Sequence, residues 1–441
     1  METNYWKKHP YINVGILEAG EIAFVLNGTF SHDGQTVAGE QTVKCRNGRI
    51  DWQGQSYEEL TFAPMGNEDS FTLKDVVIGI DFHWERREQQ RFAGSLMIIV
   101  DKDRLVAINR VHIEDYLLSV ISSEMNASSS LEFLKAAAVI SRSWLLKQIE
   151  NRHRHHDGNT GNDRKDTPQE LVSWNDREDH LLFDVCADDH CQRYQGIQKA
   201  SSPTVGQAIR ETTGMVLTSD GEICDARFYK CCGGVTEEYK TCWENLRYTY
   251  LSPVRDNAPA TDIPDLKTES EARKWICSSP EAFCNTQDKA ILRQVLNDYD
   301  METSDFYRWK QVYSQAEIKA LIEAGTDRDL GDILDLVPLE RGRSGRIYRL
   351  RIVGSRNTYT IGKELVIRRV LSTSHLYSSA FVVDKEDIQD GIPGKFILHG
   401  AGWGHGAGLC QIGAAVMGAR GYSYQQILLH YYNGAEIEKA Y

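Results

Sequence analysis

The stretch from Val111 to Ile149 constrains the fold most, because its apolar spacing predicts two consecutive helices. One face of the first helix is marked by residues four, three and four positions apart, namely Ile113, Leu117, Val120 and Glu124. A carboxylate therefore completes an apolar stripe at the last turn, where partial burial and the negative end of the helix dipole both disfavour its ionised form. A glutamate that keeps its proton near neutral pH can act as a general acid. The alternative is a last turn that frays into water and leaves Glu124 an ordinary surface carboxylate, and the spacing taken alone favours this alternative.

The second helix is predicted to start at a capping box formed by Ser129 and Glu132. Small or apolar residues surround most of its girth, so we expect it to be buried. Lys135 and Arg142 lie seven residues apart on the same side of this helix. Because a cation on a buried helix needs a partner, we expect them to meet the nearby carboxylate or an anionic or carbonyl-rich ligand.

A glycine-rich segment near the C-terminus is the second prominent motif. Glycines alternate around His405, and this density lets the backbone pass close to a ligand and adopt positive φ angles. No Gly-Lys-Ser/Thr sequence follows, so the segment is not a Walker loop. From Gln411 onward the chain is predicted to form a helix that ends at Gly421. A lone histidine between glycines is also open to a purely structural role.

Both motifs resemble the SpoIID/LytB family, which is named for stage II sporulation protein D. The first motif, DYLLSVISSEM followed by SLEFLKAAAVISRSWLL, is similar to the family's YL-x-G-V-x-x-E-M-P and EALKAQAVAARTYAL segments. The second, GWGHGAGLCQIGAAVM with ILLHYYNG, is similar to GxGHGxGMSQxGAxxMA with ILxxYYxG. Asn126 stands where the family has proline, and Cys410 where it has serine. The stretch FYKCCGGVTE resembles the family's F-H-S-x-x-GG-x-T-E segment, which lines the substrate groove, with Tyr229 and Lys230 at the His-Ser positions.

The resemblance implies an α+β, SpoIID-like fold with an N-terminal β-rich part, central helices and a mostly helical insertion. It also implies a lytic transglycosylase that cleaves the glycan strands of peptidoglycan and forms 1,6-anhydro-muramyl ends, with Glu124 as the single acid and base. The side chains expected to bind substrate or to steady charge around Glu124 are Lys135, Arg142, Tyr229, His405 and Gln411. The alternative is a non-catalytic amidase enhancer that binds glycan strands and assists a separate cell-wall amidase.

Two cysteines five residues apart, Cys186 and Cys191, favour a soft-metal site. Together with His180 and His190 they offer the nitrogen and sulfur ligands that zinc prefers. Two free thiols, or a disulfide between them, are the alternatives. Related proteins carry a similar VC-x4-CQ-x-Y-x-G segment and some bind zinc there, so the resemblance implies a structural zinc and no cofactor for the chemistry. A zinc hydrolase is a third functional hypothesis, although two thiolates leave a zinc-bound water less acidic than three histidines would.

The sequence does not decide whether four other cysteines are free thiols, metal ligands or part of a disulfide. Cys231 and Cys232 are adjacent in the sequence. They could be reactive or bind a metal, or they could be two separately buried thiols, and the sequence alone favours the buried thiols. Cys277 and Cys284 are close enough in sequence to form a disulfide, but the sequence does not decide this.

Changes in composition divide the chain into four parts. Residues 1–110 form a β-rich part in which DKDR is a hairpin turn, and residues 111–255 form the first half of the core with a polar insertion at 151–179. Residues 256–345 are predicted to be a mostly helical insertion, and residues 346–441 the second half of the core.

Charge and hydropathy exclude some classes of protein. The chain has 441 residues and a formal net charge of -13 without a basic block, which argues against nucleic acid or an anionic membrane surface as the main partner. No apolar run is long enough for a transmembrane helix. The N-terminus lacks the apolar segment of a signal peptide, which taken literally predicts a cytosolic chain. The implied substrate instead predicts the cell envelope or periplasm.

Overall fold

The computed structural model describes residues 10–78, 86–125, 128–155, 164–174, 180–188, 191–197, 202–258, 262–295 and 306–441. Its mixture of sheets and helices confirms the predicted α+β class. Asn126 and His190, which entered the sequence predictions, lie outside the described residues.

The N-terminal part is β-rich, as predicted. Its strands are β1 Tyr11–Ala19, β2 Glu21–His32, β3 Gln35–Arg46, β4 Arg49–Trp52, β5 Gln55–Tyr57, β6 Glu59–Pro64, β7 Ser70–Ile78, β8 Arg86–Ala93, β9 Ser95–Asp101 and β10 Arg104–His112. The DKDR hairpin is confirmed, because Asp101 pairs with Arg104 across a two-residue turn in which Lys102 has a φ of 53°.

These strands belong to one large sheet. Its strand order is β13-β1-β10-β9-β6-β2-β3-β4-β5, where β13 is Val185–Cys186. The strand β7 pairs with β2 and with β8, outside this order. Since β13 pairs in parallel with β1, the segment with the predicted metal ligands is attached to the same sheet that leads into the first helix.

Helices follow the large sheet and recur through the rest of the described chain. They are α1 Ile113–Glu124, α2 Leu131–His155, α3 Pro203–Glu211, α4 Tyr239–Cys242, α5 Glu269–Ile276, α6 Lys289–Val295, α7 Gln315–Thr326, α8 Glu364–Val370, α9 Gln411–Ala419 and α10 Tyr424–Tyr431. The two central helices are confirmed. The predicted start of α2 is wrong by one residue, because the Ser130 hydroxyl accepts from the backbone N–H of Phe133. Glu132 instead pairs with Lys135 and accepts from the backbone N–H of Tyr424.

The remaining strands form smaller sheets. They are β11 Arg164–Asp166, β12 Glu170–Ser173, β14 Met215–Ser219, β15 Glu222–Ile223, β16 Phe228–Tyr229, β17 Arg308–Ser314, β18 Ile333–Arg341, β19 Ile347–Gly354, β20 Thr358–Gly362, β21 Phe381–Glu386, β22 Lys395–Ala401, β23 Leu409–Cys410 and β24 Glu436–Lys439. The sheet orders are β11-β12-β20-β19-β18, β15-β14-β24, β16-β23 and β17-β22-β21.

The structure adds strands to both predicted insertions. Part of the polar segment 151–179 is not a loop, because its strand β12 pairs in parallel with β20 and antiparallel with β11. The segment 256–345 contains the helices α5, α6 and α7, and it also contains the strands β17 and β18. The RWKQVYS sequence of β17 precedes a true helix start at Ser314, whose hydroxyl forms a capping box with Glu317.

Two clusters of buried side chains organise the described residues. The larger one joins the N-terminal sheet to α1, α2, α9 and α10, and the smaller one packs β18, β19 and β20 against α7 and α8. Among the described helices, none has the length and apolar character needed to cross a membrane.

A buried ion pair fastens α1 to α2. The Arg142 side chain is 0% exposed and the Glu114 side chain 13% exposed. The guanidinium donates to both carboxylate oxygens at 3.0 and 2.6 Å and to the Met215 carbonyl at 2.9 Å. Glu114 also accepts from the Gly214 N–H at 3.1 Å and from the Tyr441 hydroxyl at 2.6 Å. One carboxylate thus connects two helices, β14 and the C-terminal residue.

Replacing Arg142 with alanine is expected to lower the free energy of unfolding by about 3–5 kcal/mol, because the Glu114 charge then stays buried without its partner. Urea denaturation followed by circular dichroism measures the loss. Lys319→Ala is the control, since Lys319 pairs with Glu323 on the surface of α7 and such pairs contribute about 0.3–0.5 kcal/mol. Equal losses in the two variants would show that Arg142 has no special structural role.

Candidate functional site

Glu124 is the last residue of α1, and its side chain is partly exposed. The next residue, Met125, leaves the helical conformation and donates its backbone N–H to the Ile121 carbonyl at 2.9 Å. The last turn is therefore closed, unlike the frayed end considered from the sequence. The backbone N–H of Arg193 donates to Glu124 Oε1 at 3.4 Å, which holds the carboxylate against a loop from elsewhere in the chain.

That loop, residues 191–197, runs along α1. The Ser119 hydroxyl donates to the Gly196 carbonyl at 2.9 Å, and the Tyr116 hydroxyl donates to Gln192 Oε1 at 3.3 Å. The rings of Tyr116 and Tyr194 stack with centroids 5.0 Å apart. Contacts on successive turns of α1 thus fix the loop, and the loop in turn fixes Glu124.

Tyr116 also reports on the electrostatics of the site. Burial raises the pKa of its phenol well above the ordinary value, and the nearby Cys191, Cys186 and Glu124 raise it further. Tyr116 is therefore a neutral hydrogen-bond donor at physiological pH.

The structure brings together three of the four predicted metal ligands. One donor atom from each of His180, Cys186 and Cys191 lies within 4.8 Å of the other two, and all three residues are partly buried. His180 Nε2 and Cys191 Sγ are 3.4 Å apart. This nitrogen and sulfur donor set fits zinc, and Cys191 is in the same loop as Arg193. The donor group is therefore a close neighbour of Glu124.

Lys135 and Arg142 have partners within the protein. Lys135 Nζ lies 2.8 Å from Glu132 and 2.7 Å from Glu211, which links α2 to α3. Arg142 has no exposed surface, so it has none with which to contact a ligand. The carboxylate expected near Arg142 is present, but it is Glu114 and not Glu124.

His405 lies inside the glycine-rich segment with both ring nitrogens engaged. Nε2 is 3.0 Å from the Phe228 carbonyl, to which it donates, and Nδ1 accepts from the Ala407 N–H at 3.2 Å. The ring packs between Tyr229 and Trp243, with centroids 5.1 and 4.8 Å away. Burial and then the charges of nearby arginines hold the pKa of His405 well below its ordinary value. His405 is thus a neutral, partly exposed side chain that organises its own loop, and its role in substrate binding stays a prediction.

Two other predicted substrate ligands are also buried. Tyr229 is 5% exposed and Gln411 is 2% exposed. Gln411 is the first residue of α9, and Tyr229 lies in β16, which pairs in parallel with β23. Both side chains are buried in the core, so the geometry favours a packing role for them.

Sequence reasoning missed the residues that position Glu124. They are Tyr116, Gln192 and Arg193. The sequence pattern that could have indicated them is CQ-x-Y-x-G, of which only the cysteine entered the sequence predictions. Gln192, Tyr194 and Gly196 of this pattern contact α1.

The neutral state of His405 predicts a dependence of stability on pH. Because its folded pKa is depressed, its contribution is fully present above the ordinary value of 6.5 and is lost as the pH falls below that value. The loss for one group is at most about 1.4 kcal/mol per pH unit. His405→Gln keeps a donor but does not titrate, so the difference in stability between wild type and variant should shrink or reverse between neutral and mildly acidic pH.

Urea denaturation at several pH values measures this difference. His399→Gln is the control, because His399 is partly exposed beside Asp384. A pH dependence that is the same in wild type and His405→Gln would mean that His405 is not held neutral by the fold.

Comparison with known proteins identifies two matching regions. Residues 101–219 match the family model described as Stage II sporulation protein, and residues 237–408 match a domain of unknown function, DUF8618. An uncharacterized protein of Brachyspira hyodysenteriae is 26% identical over 370 residues, which cover 84% of this chain and 74% of that protein.

Two named relatives come from Bacillus. The amidase enhancer of Bacillus subtilis is 25% identical over 340 residues, which cover 73% of this chain but only 40% of the enhancer. Stage II sporulation protein D of Bacillus amyloliquefaciens is 23% identical over 340 residues, which cover 76% of each chain. The region matched by the Stage II sporulation protein model contains α1, α2 and the loop that holds Glu124. These matches make the chain similar to proteins of the SpoIID/LytB family, which supports the resemblance of its sequence motifs.

Proposed function

We propose that this protein is a lytic transglycosylase that cleaves the glycan strands of peptidoglycan, with Glu124 as the single acid and base. The supporting observation is the setting of Glu124, a partly exposed carboxylate at the end of α1, where its Oε1 accepts from the Arg193 N–H. A fixed carboxylate of this kind can meet a glycosidic oxygen without first being ordered.

The proposed chemistry needs one carboxyl group in two protonation states. Protonated Glu124 donates its proton to the glycosidic oxygen, and the bond from that oxygen to the anomeric carbon breaks. The resulting carboxylate then removes the proton from the sugar's own 6-hydroxyl, whose oxygen bonds to the anomeric carbon and closes the 1,6-anhydro ring. The proton returns to Glu124, and no water is consumed. Most glycosidases instead use two carboxylates.

The Arg193 N–H assists the step after proton transfer. It donates to Oε1 at 3.4 Å, and a hydrogen bond of this kind stabilises the carboxylate that is left. One oxygen is thus engaged by the protein while the exposed side of the group faces solvent and substrate.

Glu124→Gln should abolish the formation of anhydro ends, a loss of at least about 100-fold from general acid–base catalysis alone. The amide keeps the size of the side chain and its oxygen still accepts from Arg193, but it cannot deliver a proton. Mass spectrometry of the ends of purified, peptide-free glycan strands measures the loss.

Glu436→Gln is the matched control, since Glu436 is an exposed glutamate on β24, and it should leave the rate unchanged. Binding of glycan strands and the thermal midpoint should be retained in Glu124→Gln. Anhydro ends formed by Glu124→Gln at the wild-type rate would remove Glu124 as the catalyst.

A second candidate function is favoured by one of the relatives. The amidase enhancer of Bacillus subtilis suggests that this chain binds glycan strands without cleaving them and assists a separate amidase. Wild-type protein that binds peptide-free strands but releases nothing, and that speeds a cell-wall amidase on intact peptidoglycan, would favour this function over the lytic one.

We also propose that His180, Cys186 and Cys191 hold a structural zinc. Zinc bound by these residues would fix the loop 191–197, and through Arg193 the position of Glu124. Its role would be in the fold, since the acid–base steps above require only the carboxyl group. Sites of this composition contribute directly to folding because the ligands are brought together only in the native state.

Cys186→Ser combined with Cys191→Ser should therefore remove one zinc per chain and lower the thermal midpoint. Elemental analysis and differential scanning calorimetry measure the two effects. Cys277→Ser is the control, because Cys277 is an exposed cysteine and its loss should change neither. An unaltered zinc content in the double variant would contradict the assignment.

A further inference from the structure

Three thiols and one carboxylate meet in the core, well away in sequence from the ligands discussed above. They belong to Cys232, Asp256, Cys284 and Cys410, all of which are buried, and one donor atom from each lies within 4.8 Å of the other three. Cys232 follows β16, Asp256 follows α4, Cys284 lies between α5 and α6, and Cys410 ends β23. Four separate segments thus contribute one ligand atom each.

The spacing of these atoms is close to that of a tetrahedral ion site. Zinc–sulfur bonds of about 2.3 Å in tetrahedral geometry place two sulfurs about 3.8 Å apart, and the Sγ atoms of Cys232 and Cys284 are 3.3 Å apart. Small side-chain rotations cover this difference. Three thiolates and a carboxylate are a sulfur-rich donor set of the kind that selects zinc over calcium or magnesium.

Backbone N–H groups point at the donor atoms. Gly234 donates to Cys232 Sγ at 3.2 Å, and Cys232 donates to Cys410 Sγ at 3.2 Å. Cys284 donates to Asp256 Oδ2 at 2.9 Å. Hydrogen bonds of this type stabilise thiolates and carboxylates, and they commonly orient metal ligands.

Positive charge lies around the turn that carries Cys232, from the buried Arg255 and Arg346 and the partly exposed Arg308. Three arginines each donate to one carbonyl of that turn: Arg346 to Cys232 at 3.3 Å, Arg308 to Gly233 at 3.1 Å and Arg255 to Gly234 at 2.7 Å. Zinc with three thiolates and one carboxylate has a net charge of -2, since the ion contributes +2 and the ligands -4. The adjacent guanidinium groups offset such a charge in a low-dielectric core, whereas neutral thiols do not need them.

The protonated thiols alone have little chemistry to offer. Burial raises the pKa of Cys284 to about 12 and raises those of Cys232 and Cys410 well above the ordinary value. Without a metal these groups stay neutral and are poor nucleophiles. A bound cation reverses this preference because it deprotonates a coordinating thiol outright.

We propose that Cys232, Asp256, Cys284 and Cys410 bind a second zinc ion, separate from that of His180, Cys186 and Cys191. Binding releases three protons to solvent, one from each thiol, and involves no change of oxidation state. With four protein ligands the site is closed and therefore structural. The segment matched by DUF8618, residues 237–408, begins just after Cys232 and ends just before Cys410. The ion would fasten the two ends of that segment to each other and to Asp256 and Cys284 within it.

Zinc counting in a variant without the first site tests the proposal. The full chain with Cys186→Ser and Cys191→Ser is reduced, loaded with zinc, dialysed and analysed for metal. It should retain one zinc per chain, and addition of Cys284→Ser or Cys410→Ser should each remove that zinc. Addition of Cys277→Ser, which replaces an exposed cysteine, should leave it in place.

X-ray absorption at the zinc edge identifies the zinc ligands without the Cys284→Ser and Cys410→Ser substitutions, so this test does not depend on whether those variants fold. In the Cys186→Ser and Cys191→Ser background it should show three sulfur neighbours at about 2.3 Å and one oxygen neighbour. Absence of zinc from this folded background variant would overturn the proposal. So would retention of the zinc in both Cys284→Ser and Cys410→Ser.

Discussion

The buried ion pair between Glu114 and Arg142 is the interaction on which the position of the candidate site depends. It joins the first turn of α1 to α2, and through Gly214 and Tyr441 it reaches β14 and the C-terminus. A carboxylate in the first turn of a helix is also favoured by the positive end of the helix dipole. Since α1 is a rigid unit, fixing its start also fixes the direction in which its last residue, Glu124, points.

The two ends of α1 therefore carry glutamates in opposite settings. Glu114 is nearly buried and is satisfied by a cation and two further donors, so it serves the fold. Glu124 is partly exposed at the negative end of the helix, with the Arg193 N–H as a donor to one oxygen. The loop that supplies Arg193 also supplies Cys191, so metal binding at that loop and the orientation of Glu124 are coupled in the account proposed here.

Features with a local signal could be predicted from the sequence, and features that depend on distant contacts could not. The spacing of Ile113, Leu117 and Val120 is enough to predict α1, because amphipathic periodicity is a property of neighbouring residues. The sequence also predicted that Arg142 needs a partner. It could not identify Glu114 as that partner, because the two residues are 28 positions apart and meet only in the folded chain. The contacts of the His405 ring nitrogens with Phe228 and Ala407 could not be predicted, because spacing along the chain does not show them. The strand β17 lies within the segment predicted to be mostly helical, and the helix that follows it starts only at the capping box of Ser314 and Glu317.

The most direct test of the lytic function is the source of the oxygen in the newly formed ends. Purified, peptide-free glycan strands are digested by the wild-type protein in water labelled with oxygen-18, and the products are analysed by mass spectrometry. If Glu124 acts alone through the 6-hydroxyl, the new ends are anhydro sugars that contain no label, because no water enters the products. Labelled reducing ends would contradict this account, since they would show that water, and not the sugar's own hydroxyl, attacks the anomeric carbon.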